Sequence, residues 1–76
     1  MTNYTDRYKE PEKIDYSQIK KKIDSLVKQG LSRDEITDIV GEPYVGKYIY
    51  GEVLKYVYAY LEHEYKIVYS NDVYAK

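Results

Sequence analysis

The stretch with the clearest chemical pattern is GEPYVGKY, residues 41–48. Its two glycines and Lys47 fit Gly-x-x-x-x-Gly-Lys, the spacing of a loop that wraps phosphate oxygens with backbone N–H groups. That loop needs Ser or Thr after the lysine to hold Mg²⁺, but Tyr48 occupies the position. It must also follow a buried strand, whereas the preceding DEITDIV has helical spacing. The stretch therefore predicts a turn and not a nucleotide site.

Other reactive side chains occur singly or without a partner of the right kind. His63 is the one histidine and the chain has no cysteine. A metal centre or a catalytic base needs further ligands or a nucleophile beside it, and near a helix end His63 can simply favour the helix dipole. The sequence predicts a protein that is not an enzyme and holds no metal or cofactor.

Length and composition bound the remaining possibilities. A chain of 76 residues with 43% hydrophobic residues is long enough for one core and too short for two. Residues 1–13 lack apolar periodicity and predict a flexible N-terminal arm, which leaves residues 14–76 as the domain. No apolar run reaches the roughly 20 residues of a membrane span, and no signal peptide is visible. We expect a soluble, cytoplasmic protein.

Two helix starts have the same signature. In IDYSQI, Asp15 can cap a helix that begins at Tyr16, and in LSRDEI, Ser32 and Glu35 form a capping box. Apolar residues at three- and four-residue spacing extend the first helix over residues 16–29, to a stop at Gly30. The second helix is predicted over residues 33–40, with a stop at Gly41.

The C-terminal half predicts a longer helix and then a hairpin. From residue 48 to 63 the apolar positions fit both periods, but the segment is too long for a strand, so we predict a helix. The sequence leaves open whether it breaks at Gly51. Residues 65–69 and 73–75 are rich in strand-forming types and flank Ser70, Asn71 and Asp72, which favour a turn. The predicted fold is α+β, mostly helical, with three helices and a C-terminal β-hairpin.

The order of helix, helix, turn, long helix and hairpin resembles the winged helix-turn-helix family. The residues that carry the likeness are GLSRDEITDIVGEPY in the middle and YLEHEYKIVYSNDVY at the end. Thr37 departs from the small apolar residue common in such second helices. In its richness in Lys, Ile and Tyr, the chain also resembles proteins encoded by archaeal viruses and plasmids.

This resemblance implies a small transcriptional regulator that binds double-stranded DNA as a homodimer. The third helix would enter the major groove and the hairpin, as a wing, would contact the neighbouring backbone. The residues implied as DNA contacts are Arg33, Lys47, Tyr48, Lys55, Lys66, Ser70 and Asn71. Each of them is equally compatible with an ordinary solvated surface.

Charge and tyrosine content point to a second hypothesis. Residues 1–33 carry 8 Lys or Arg against 5 Asp or Glu, while residues 34–76 carry 4 against 8, which opposes DNA binding by the third helix. The chain has 12 tyrosines and neither Phe nor Trp. Aromatic side chains are enriched at protein interfaces, so Tyr44, Tyr56 and Tyr60 are predicted contacts of a protein partner in a winged-helix interaction module that binds no DNA.

Overall fold

The computed structural model describes residues 14–74, and their first two helices start at the two predicted caps. Helix α1 spans Tyr16–Lys28, and the Asp15 carboxylate accepts from the Gln18 N–H at 3.2 Å. Helix α2 spans Arg33–Gly41 behind a complete capping box. There the Ser32 N–H donates to Glu35 at 2.9 Å, and the Ser32 hydroxyl oxygen accepts from the Glu35 N–H at 3.4 Å. Both predicted starts are confirmed.

The first two helices end for different reasons. Gly30 has φ +82 and gives the predicted left-handed stop after α1. Gly41 has right-handed φ −80 and lies within α2, which continues into a 3-10 turn at Glu42–Tyr44. A Cβ on Gly41 would lie 3.1 Å from Leu54 Cδ2 and 3.3 Å from the Tyr50 ring. The α-helix therefore ends at Gly41 as predicted, but without the left-handed conformation expected of such a stop, and the glycine permits close packing on the third helix.

Helix α3 spans Tyr50–Tyr65 without a break, which settles the question that Gly51 left open. Its core-facing positions recur at four-residue spacing and meet α1 and α2. The buried apolar core comprises Ile19, Ile23, Leu26, Val27, Ile36, Val40, Ile49, Val53, Val57, Leu61 and Ile67. Thr37 is also buried, and its hydroxyl donates to the Arg33 carbonyl at 2.7 Å, so this departure from the family pattern costs no unpaired polar group.

The predicted C-terminal β-hairpin is wrong, since residues 14–74 contain no strand and form an all-α fold. After α3 the chain turns at Lys66, whose φ is 62, and Ile67 enters the core. The predicted turn does form around Ser70 and Asn71. The Asp72 carboxylate closes it by accepting from the N–H groups of Val68 and Tyr69, both at 3.0 Å.

The tail, which we define as residues 66–74, uses its backbone on α2 instead of on a second strand. The Arg33 N–H donates to the Asp72 carbonyl and the Asp34 N–H to the Ser70 carbonyl, both at 3.1 Å. These two donors belong to the first turn of α2, which has no intrahelical partners for them. The backbone carbonyls of the tail therefore cap α2 and do not form the inter-strand hydrogen bonds of a hairpin. The N-terminal arm and Ala75, the last residue of the predicted hairpin, lie outside the described residues.

Two glycines should respond in opposite directions to the same substitution. Gly51→Ala should raise the free energy of unfolding by about 0.5 kcal/mol, because its Cβ would meet nothing within 4 Å and alanine favours a helix. Gly30→Ala should lower it by about 1 kcal/mol, because a side chain is strained at φ +82 even in open space. Urea unfolding of both variants checks the pair. Shifts of equal sign would contradict this account of α3 or of the α1 stop.

Candidate functional site

Four of the seven residues implied as DNA contacts lie on α3 or directly beside it. Lys47 and Tyr48 precede the helix and Lys66 follows it. A helix of 16 residues is about 24 Å long, so these two groups are that far apart along the axis. Lys55 lies between them, on an exposed face, with its ammonium 4.0 Å from the Glu52 carboxylate. The structure thus spreads the four residues over the length of the helix.

The structure brings the other three DNA candidates together at the start of α2. The carbonyl of Ser70 receives the Asp34 N–H, and Asn71 lies in the same turn. The Arg33 guanidinium lies over the Tyr58 ring, with Cζ 4.1 Å from the ring centroid, in a cation–π contact. Both the guanidinium and the first N–H groups of α2 therefore have partners within the chain.

Formal charge is segregated among the helices. Helix α1 carries four lysines against Asp24, a net charge of +3, and these exposed lysines include the run Lys20, Lys21 and Lys22. Helix α2 carries one Arg against three acids, a net charge of −2. Helix α3 carries Lys55 against three glutamates, also −2 with His63 neutral. The helix predicted to enter the DNA groove is therefore acidic, and the basic helix is α1.

Five tyrosines form a continuous row of ring contacts that joins α1, α3 and the tail. Successive ring centroids are 4.7, 5.9, 6.0 and 5.1 Å apart. These distances are typical of favourable aromatic pairs. We call this set the tyrosine row, and its members in order are Tyr16, Tyr56, Tyr60, Tyr65 and Tyr74. Three rings in the middle are half-buried, while the two end rings are exposed.

Asp24 holds the centre of the row from helix α1. Its Oδ1 atom accepts from the Tyr60 hydroxyl at 2.7 Å and from the Tyr65 hydroxyl at 2.6 Å. Burial and this hydrogen bond raise the pKa of Tyr60, and the hydrogen bond with burial raises the pKa of Tyr65 to about 12. Both hydroxyls therefore remain protonated donors at neutral pH. Their arrangement suits a rigid surface and does not provide an activated nucleophile or a general base.

An open groove of about 400 Å³ lies at the α1 end of the row. Its lining consists of the Tyr16 and Tyr56 rings with the Glu52 and Lys55 side chains. Burial, followed by the charge of Asp24, raises the pKa of Tyr56, and Glu64 adds to the same effect. The groove thus combines two aromatic rings with one carboxylate and one ammonium group. The negative charges of Asp24 and Glu64 also act on the Tyr56 ring.

The tyrosines predicted as protein contacts are divided between two places. Tyr56 and Tyr60 belong to the row, whereas Tyr44 lines a separate groove of about 200 Å³ between α1 and the end of α2. Sequence reasoning did not identify Tyr65 and Tyr74 as contacts, nor Asp24 as the acceptor that joins the row. The i,i+4 spacing of Tyr56 and Tyr60 was visible in the sequence. The contacts to α1 and to the tail depend on tertiary packing.

Residues 14–74 contain no group of three or more His, Cys, Asp or Glu side chains placed to hold a metal ion. Among these residues no helix has both the length and the apolar character that crossing a membrane requires.

Comparison of the chain with protein families, curated proteins and solved structures gives no match.

Proposed function

We propose that this protein is a protein-interaction module whose contact surface is the tyrosine row. The observation that carries the proposal is five rings in unbroken contact across three elements, with the end rings Tyr16 and Tyr74 exposed by 44% and 42%. Tyrosine presents a large apolar face together with a hydroxyl that tolerates water. It is also among the residue types that dominate the energy of protein interfaces.

Rigidity adds to the suitability of this surface. Asp24 fixes the hydroxyls of Tyr60 and Tyr65, and each ring in the row is held by at least one neighbouring ring. A side chain that is ordered before binding loses less conformational entropy when a partner docks. The middle of the row therefore offers contact area at low entropic cost, and the exposed end rings extend it.

The distribution of charge favours a protein partner over duplex DNA. Phosphate binding requires a positive footprint, but α3 carries three glutamates and a single lysine, and that lysine is close to Glu52. The two N–H groups of α2 that could meet a phosphate donate to the tail. A second copy of the chain is one possible protein partner, and homodimerisation stays a prediction.

Selection of peptides on the immobilised full chain tests the proposal. Random 12-residue peptides displayed on phage should yield binders, and Tyr16→Ala or Tyr74→Ala should weaken their binding at least tenfold, as expected for residues that dominate an interface. Tyr69→Ala is the matched control, because Tyr69 is 70% exposed but lies outside the row. The affinity of the selected peptides for Tyr69→Ala should differ from that for the wild type by less than twofold.

Two results would contradict the proposal. One is peptide binding that the row variants leave unchanged. The other is salt-sensitive binding of a mixed-sequence DNA duplex, measured by fluorescence anisotropy, that is lost in the double variant Lys47→Glu with Lys55→Glu. The second result would place phosphates on α3 and support the regulator that the sequence resemblance implies.

A further inference from the structure

We propose that the groove at the α1 end of the tyrosine row binds an arginine side chain of the protein partner. The inference rests on the proposed function, because it takes the row as the contact surface, and it names the chemistry of the partner at one point. The groove is lined by Tyr16 and Tyr56 with Glu52 and Lys55, and its volume of about 400 Å³ can admit one long side chain.

The two rings provide the first part of the recognition. Their planes are tilted by 52° with centroids 4.7 Å apart, and Tyr16 is exposed. The face of a tyrosine ring attracts a cation through its quadrupole, and a planar guanidinium can stack on it as well. The same chemistry already occurs within this chain, where Arg33 lies over Tyr58 at 4.1 Å.

Glu52 provides the second part. Its carboxylate can accept two parallel hydrogen bonds from a guanidinium, which is the geometry that favours arginine over lysine. The opposing charge in the groove is Lys55, whose ammonium lies 4.0 Å from Glu52. Both side chains are exposed, so this ion pair contributes little, and an incoming guanidinium can replace Lys55 as the partner of the carboxylate.

Two acids outside the groove act on one of its rings. Asp24 and Glu64 both raise the pKa of Tyr56, after the larger effect of burial, so their negative charges act at the ring. A guanidinium over Tyr56 is attracted by the same charges. The groove is therefore an open aromatic site with one carboxylate in its lining and two further acids acting on one of its rings, and arginine matches these properties.

An NMR titration of the full chain with N-acetyl-arginine amide tests the site. The Tyr16 and Tyr56 ring resonances should shift and saturate in the millimolar range. N-acetyl-citrulline amide, which has the same shape without the charge, should bind at least fivefold more weakly. Equal binding of the two probes, or shifts confined to other tyrosines, would overturn the inference.

Three variants with matched charge changes sharpen the test. Glu52→Gln should weaken binding of the arginine probe at least threefold, while Lys55→Gln should strengthen it by removing the competing cation. Glu62→Gln is the control, since it removes the same charge from α3 about 15 Å along the axis, and should leave binding unchanged. Equal losses in Glu52→Gln and Glu62→Gln would reveal general electrostatic attraction and overturn the site.

The two proposals fail in different ways. Selected peptides that bind the row with the same affinity after arginine is replaced by citrulline would refute the arginine site and leave the interaction module standing. An arginine probe that binds the groove, together with a failure to select any peptide, would support the site and count against the interaction module.

Discussion

Ile67→Ala should lower the free energy of unfolding by about 3 kcal/mol, because removing a fully buried isoleucine loses apolar transfer energy and leaves a cavity. Ile67 is 2% exposed and packs with the residues of all three helices in one core. It is also the first residue after the left-handed turn at Lys66, and its N–H donates a hydrogen bond to the Leu61 carbonyl at 3.0 Å. The substitution should therefore loosen the tail as well as the core.

Urea unfolding followed by circular dichroism measures the loss, and hydrogen exchange locates it. Exchange of the Arg33 and Asp34 amides should become faster in Ile67→Ala, because both amides donate to the tail. Val68→Ala is the matched control, since its side chain is 44% exposed, and should change stability by less than about 0.5 kcal/mol. Similar losses in the two variants would show that Ile67 does not anchor the tail.

The parts of the fold that the sequence predicted correctly depend on local contacts. Asp15 and Ser32 cap helices within three residues of themselves, and Gly30 stops α1 through its own backbone conformation. Helix α3 was recognised because its apolar segment is too long for a strand, although it spans Tyr50–Tyr65 and not the predicted residues 48–63. Such interactions are fixed by neighbours in sequence, so composition and spacing were sufficient to place them.

The hairpin was mispredicted because local preference and tertiary contact disagree there. Residues 65–69 and 73–75 have strand-forming types, and the turn between them forms as expected. However, the backbone of the tail meets α2, more than thirty residues earlier in the chain, and Ile67 finds a place in a helical core. Strand propensity depends largely on side-chain packing against neighbouring strands. Residues 14–74 contain no strand, so the tail packs against the helices instead.

The candidate site was only partly predictable for the same reason. Tyr56 and Tyr60 share a face of one helix and were proposed as contacts from the sequence. Asp24 lies 36 residues before Tyr60 and 41 before Tyr65, so nothing in the local pattern joins them. The exposed lysine of α3, Lys55, was visible as a possible DNA contact, but the three glutamates on the same helix dominate its charge.

Asp24→Ala is the second substitution from which we expect a large effect, a loss of about 2 kcal/mol in the free energy of unfolding. It removes the acceptor of two tyrosine hydroxyls at 2.7 and 2.6 Å, and a donor left without its partner in a half-buried place is unfavourable. Asp38→Ala on the exposed face of α2 is the matched control, and should change stability by less than about 0.5 kcal/mol.

A double-mutant cycle separates the hydrogen bonds from other effects of Asp24. In the background of Tyr60→Phe with Tyr65→Phe the hydroxyls are absent, so Asp24→Ala should cost less than about 0.5 kcal/mol. A cost of about 2 kcal/mol in that background would show that Asp24 stabilises the fold by some other contact, and would remove the support for a rigid tyrosine row.

The same contacts predict how stability changes at alkaline pH. The hydrogen bond to Asp24, with burial and the Asp24 charge, raises the pKa of Tyr65 to about 12, and the pKa of Tyr60 is raised as well, first by burial. An unfolded tyrosine titrates near pH 10, so the folded state holds these protons more tightly. Their contribution is complete below about pH 10 and is lost as the pH rises to about 12. Urea unfolding across this range should show a steeper loss in the wild type than in Tyr60→Phe with Tyr65→Phe, and parallel curves would mean that Asp24 does not hold the two hydroxyls in solution.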